Sequence, residues 1–177
     1  MNYFELYGLP VRLKVDPDAV KKKYYQLSRA FHPDFHSQAP AEEQAEVLQQ
    51  SADVNRAYKI FQDPDATIRY VLTQRGLMQE EEKYTLNPSF LMEVMEINER
   101  LMEIEMDEDP SELAPVEKET NELLNKIYKD VAMVIENYEE GLSSEEELLR
   151  VKEYYYRKKY LQRILDKIGQ MRNIASP

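Results

Sequence analysis

Apolar residues recur along this chain at the spacing of α-helical stripes, in blocks separated by proline, glycine and capping signals. Val20, Tyr24, Leu27 and Phe31 stand at i, i+4, i+7 and i+11, which aligns them on one face. Asp16, Pro17 and Asp18 open that block with an N-cap, a first-position proline and a carboxylate suited to the helix dipole. Pro33 closes it at Phe31 or His32, because proline cannot donate a backbone hydrogen bond and biases the residue before it out of the helical region. A second stripe, Val47, Val54, Tyr58 and Phe61, predicts a helix that starts near Ala41 and is closed by Asp63-Pro64. A tight loop around Pro40 lets these two helices pack antiparallel. Short helices at residues 2–8 and 65–75, each stopped by a glycine, flank the hairpin.

Residues 77–86 lose the periodicity, so residues 77–87 read as a linker between a domain at 1–76 and another at 88–177. Asn87-Pro88 opens the second domain, whose first helix buries Phe90, Val94, Ile97, Leu101 and Ile104. Its second helix runs from near Pro115 to Tyr138, with Leu124, Ile127, Val131, Val134 and Tyr138 inward. Ser144 and Glu147 then form a capping box for a third, continuing to about Met171. On this last helix the spacing places Leu149, Tyr156, Tyr160 and Ile164 on one side, and Tyr154, Leu161, Leu165 and Ile168 on the other. The expected second domain is an antiparallel three-helix bundle.

Composition supports an all-α fold: four glycines, no tryptophan and many strong helix formers in 177 residues leave little for sheets. Cysteine is absent, which removes disulfides and thiolate chemistry and suits a reducing compartment. No stretch approaches a membrane span and the start lacks a signal peptide, so a soluble, cytoplasmic protein with no membrane partner is expected. The net charge of −11 is unevenly spread: residues 1–75 hold ten basic and ten acidic side chains, and residues 76–177 carry the whole excess. An acidic body repels phosphates, so nucleic acid is not an expected partner.

The helix before Pro33 carries Lys22, Gln26 and Arg29 opposite its apolar stripe, with Lys21 and Lys23 flanking them. His32 and Asp34 follow on a stiff turn beside this basic face. A metal site at His32, Asp34 and His36 would need more ligands, and an acid–base pair would need a substrate pocket. That alternative finds no support elsewhere in the chain, so no catalytic residue, metal or cofactor is expected.

With Tyr3-Phe4-Glu5-Leu6-Tyr7-Gly8 at the start, a basic helix before His32-Pro33-Asp34, and Asn55-Arg56-Ala57-Tyr58 leading to Asp63-Pro64, residues 1–76 resemble a J-domain. The resemblance implies that His32, Pro33 and Asp34 engage the ATPase domain of a DnaK-type chaperone, and that the basic face meets its acidic surface. J-domains place a Lys-Arg pair where this chain has Tyr25-Gln26, which shifts the charge contact to Lys21, Lys22, Lys23 and Arg29.

The helix from Pro88 has a second apolar stripe, Leu91, Met95 and Met102, with Met92, Glu96 and Glu99 further round. Periodicity alone leaves open whether it packs inside the protein or binds a partner. Leu91-Met92-Glu93 and Met95-Glu96-Ile97, in an acidic three-helix domain after a J-domain, resemble the HscB family of co-chaperones in iron–sulfur cluster assembly, in its short bacterial form. The resemblance implies an L-shaped, non-enzymatic adaptor. Leu91, Met92, Met95, Glu96 and Glu99, with Tyr156 as aromatic neighbour, would hold the scaffold protein IscU and deliver it to an HscA-type chaperone. The alternative is a general J-domain protein whose bundle binds a different client.

Overall fold

The computed structural model describes residues 2–175. Among them all regular secondary structure is helical, with no strand: α1 (Tyr3–Tyr7), α2 (Pro17–Ala30), α3 (Ala41–Gln62), α4 (Pro64–Gln74), α5 (Pro88–Asp107), α6 (Leu113–Asn137) and α7 (Glu145–Ala175), plus one-turn 3-10 helices at Pro33–His36 and Pro110–Glu112. No helix is long and apolar enough to cross a membrane, among the described residues.

The helix starts are set by their caps. Asn2 accepts the Glu5 N–H at 2.9 Å while the Glu5 carboxylate accepts the Asn2 N–H at 3.1 Å, a reciprocal box that nucleates a helix of only five residues. Asp16, Asp63 and Asn87 each accept backbone N–H groups of the following turn, with proline next in line. Gly8 ends α1 at φ 62°, where a Cβ would be strained. Leu113 rather than Pro115 opens α6; proline is tolerated there because the first-turn N–H groups have no intrahelical acceptor.

The chain divides into two compact units. The first comprises Met1–Met78 together with Ile135–Ser144, so the end of α6 and the turn after it belong with the N-terminal helices. Its centre is aromatic. Phe4 and Tyr7 pack on Phe61 at ring distances of 4.8 and 5.2 Å, and the Tyr7 hydroxyl donates to the Val54 carbonyl at 2.7 Å. Burial drives that phenol's pKa well above its usual value. Tyr24 of α2 stacks flat on Tyr58 of α3 at 3.9 Å, and its hydroxyl donates to Asn55. Along the α2 stripe only Val20 is fully buried; Tyr24, Leu27 and Phe31 are half-buried. The distant segment is held by Arg12, whose guanidinium donates to the Tyr138 carbonyl at 2.7 Å, and by the ion pairs Lys14–Glu136 and Arg75–Glu140, each at 3.7 Å.

The second unit comprises Gln79–Val134 and Glu145–Pro177. The α5 stripe of Phe90, Val94, Ile97, Leu101 and Ile104 is buried as its spacing predicts. On α7 the register differs from expectation: Leu148, Val151 and Tyr155 are buried, whereas Leu149 and Tyr160 are exposed and Tyr156 is half-buried. Tyr154, Leu161 and Ile168 of one expected side and Ile164 of the other are buried, and because three consecutive tyrosines satisfy several helical phases at once, Leu148, Val151 and Tyr155 are buried beside them. Residues 79–87 are extended but pinned to α7. Tyr84 stacks on Tyr156 at 4.5 Å and its hydroxyl donates to Glu153, and Glu82 pairs with the nearly buried Lys152 at 2.6 Å.

Candidate functional site

Two outward-facing clusters, one in each unit, hold the residues singled out in the sequence. The first is the turn after α2. Helix α2 stops at Ala30, and His32, with extended backbone, caps the 3-10 turn Pro33–His36. The His32 Nδ1 accepts the Asp34 N–H at 3.3 Å and lies 3.6 Å from the Asp34 carboxylate. Both side chains are exposed, 53% and 87%. The turn is fastened from behind: His36 Nε2 lies 2.9 Å from the Ala30 carbonyl, and Gln44 of α3 donates to the carbonyls of Ser37 and Ala39. His36 is therefore a strut, its ring turned back onto the helix end and away from His32 and Asp34.

On α2, Lys21, Lys22 and Arg29 are exposed, and none enters an ion pair among the described residues. Lys23 lies elsewhere: it is half-buried, with its ammonium beside Gly8. Tyr25 is 60% exposed among these lysines, and Phe35, 71% exposed, meets His32 edge-on at 5.9 Å. Sequence reasoning assigned these aromatics no contact role. For Phe35 the available signal was an apolar residue inside an otherwise polar turn, and for Tyr25 an aromatic on the basic face of α2, neither of which the buried-stripe periodicity registers.

The second cluster is the flank of α5. Met92 and Met95 are exposed, Leu91 is half-buried, and Glu96 and Glu99 stand at the surface beside them. Arg157 of α7 lies over the Phe90 ring at 5.1 Å, so the neighbours of that contact, Leu91 and Tyr156, lie on adjoining helices. Tyr156 is itself held inside its unit, stacked on Tyr84 and donating to Glu82 at 3.1 Å. Its ring is half-buried, with one face taken by Tyr84. Nothing in either cluster pairs a nucleophile with a base; what they offer is fixed charge, hydrogen-bonding groups and apolar area.

An antiparallel hairpin with an exposed His-Pro-Asp turn at its tip defines a J-domain protein, and residues 2–70 match the DnaJ domain family. Residues 86–169 match the family described as the HSCB C-terminal oligomerisation domain. The chain is 33% identical over 147 residues to the co-chaperone protein HscB homolog of Vibrio parahaemolyticus, covering 82% of this chain and 84% of that relative. It is 37% identical over 111 residues to that of Vibrio cholerae, a match spanning 62% of this chain and 65% of the relative. Among solved structures, human co-chaperone protein HscB superposes with a TM-score of 0.74 at 28% identity, covering 97% of this chain and 82% of that one. Chaperone HscB from Vibrio cholerae shares the fold, with a TM-score of 0.70 at 24% identity over 98% of both chains. This chain belongs to the HscB family of co-chaperones.

Proposed function

We propose that this protein binds an IscU-type iron–sulfur scaffold through the α5 flank, brings it to an HscA- or DnaK-type chaperone, and stimulates that chaperone's ATPase through the turn at His32, Pro33 and Asp34. The observation that carries the reading is the pairing, on one chain, of a fastened, exposed His-Pro-Asp turn with a methionine and carboxylate surface in the other unit. Pro33 fixes the turn's backbone, and His32 and Asp34 supply hydrogen-bonding groups already in position, which lowers the ordering cost of docking. Lys21, Lys22 and Arg29, exposed on α2, are the cations proposed to steer the approach to an acidic partner surface, whereas Lys23, half-buried beside Gly8, stands apart from that face. Leu91, Met92, Met95, Glu96, Glu99 and Tyr156 are the proposed scaffold contacts. The chemistry takes place in the chaperone, and the gain from carrying both sites on one chain is a raised effective concentration of client beside it.

The test is ATP hydrolysis by a purified HscA-type chaperone, with and without scaffold. His32→Gln should abolish stimulation while thermal unfolding and scaffold binding stay at wild-type values. Undiminished stimulation would overturn the reading of the turn. Replacing Leu91, Met92 and Met95 together by alanine should remove scaffold binding and leave scaffold-free stimulation intact.

A further inference from the structure

The outward face of α5 extends well beyond residue 99. Met92, Met95, Met102 and Met106 are 65%, 58%, 56% and 80% exposed. At about 100° per residue all four fall, with Glu99, within an arc of roughly 80° that lies opposite the buried stripe. Positions 92, 95, 99, 102 and 106 alternate steps of three and four residues, the spacing at which one helix receives the side chains of another. With a rise of 1.5 Å per residue, this seam is about 21 Å long. Glu99 lies within the seam and Glu96 and Glu103 line one edge of it, all exposed, so an approaching helix meets flexible thioethers around a central carboxylate, with two more carboxylates at the side.

The charge selects the occupant. A second copy of α5 would set its own carboxylates against these, whereas a cationic helix complements them. We propose that Met92, Met95, Met102 and Met106 form one continuous docking seam for an amphipathic helix of the client, with apolar residues at heptad spacing and Lys or Arg facing Glu96, Glu99 and Glu103. The inference rests on α5 being the client surface; it lengthens that surface by two turns and assigns the partner's chemistry.

The test titrates the full chain with an IscU-type scaffold by calorimetry, comparing wild type, Met102→Lys/Met106→Lys, and the alanine triple at Leu91, Met92 and Met95. The lysine pair replaces exposed side chains with good helix formers, so its thermal unfolding should match wild type. Its scaffold affinity should fall at least tenfold, and wild-type affinity should drop as NaCl is raised. Wild-type affinity in the lysine pair, with binding lost in the triple, would end the surface at Glu99 and overturn the seam. No binding by wild type would overturn the client reading itself, and the seam with it. A change in sedimentation without a change in scaffold affinity would assign the seam to a second copy and likewise overturn the proposal. As a probe of partner conformation, a three-heptad peptide with leucine at a and d and lysine at e and g should displace the scaffold, and its proline-interrupted twin should not. Equal displacement by the two would overturn the helical occupant.

Discussion

Tyr138 is 1% exposed, and its hydroxyl finds no hydrogen-bond partner among the described residues, although the carbonyl of the same residue takes the Arg12 guanidinium. Burial raises the phenol's pKa, and the unpaired hydroxyl stands as an uncompensated desolvation cost. Tyr138→Phe is therefore expected to stabilise the protein by about 1 kcal/mol, seen as a higher urea midpoint at unchanged slope. At this scale the sequence was most legible where neighbouring residues fix one another's backbone. His32, Pro33 and Asp34 form one turn because Pro33 dictates its own backbone and that of His32. Lys23 was not legible in the same way: a helical wheel places it beside Lys22, but the left-handed turn at Gly8 brings α1 against it and half-buries it.

Among the elements, residues 79–87 show what periodicity cannot reveal. They have no repeat, and their partners, Lys152, Glu153 and Tyr156, lie about seventy positions away on α7. The Glu82 carboxyl is held below the usual carboxylate range, chiefly by its hydrogen bond from Lys152 and also by that from Tyr156, against the opposing effect of burial. A depressed folded-state pKa contributes stability that is fully present above the unfolded carboxylate value and is lost as pH falls through the folded one. Stability should thus decline on acidification below about pH 5, and Glu82→Gln should flatten that part of the profile. The same substitution should cost roughly 1–3 kcal/mol at pH 7, because it leaves the Lys152 ammonium nearly buried without its carboxylate. Denaturant titrations at several pH values read both effects. Helix α5, in contrast, was legible almost residue for residue on its buried side, since a five-member stripe at 3.6 spacing admits a single phase. On its outer side periodicity marked the stripe Leu91, Met95 and Met102, and the family resemblance gave roles only as far as Glu99, which left Met106 unremarked.

For the molecule as a whole, composition and charge were enough to set the class: helix formers, few glycines and an acidic C-terminal half. The discontinuity of the first unit was not readable, because its boundary falls between Val134 and Ile135, inside the continuous stripe of α6, and the segment after it joins the N-terminal helices through Arg12, Lys14 and Arg75. A fragment of residues 1–78 lacks Ile135 and Tyr138, both buried in the intact chain. Backbone amides around Val54 and Phe61 are expected to exchange with solvent at least about tenfold faster in that fragment than in the full protein, equivalent to about 1.4 kcal/mol. The same feature bears on biosynthesis. At about 5–20 residues per second, a ribosome needs roughly 3–13 s to advance from Met78 to Ser144. During that interval the nascent hairpin exists without the segment that completes its unit, and most of the second unit is synthesised before the first can close.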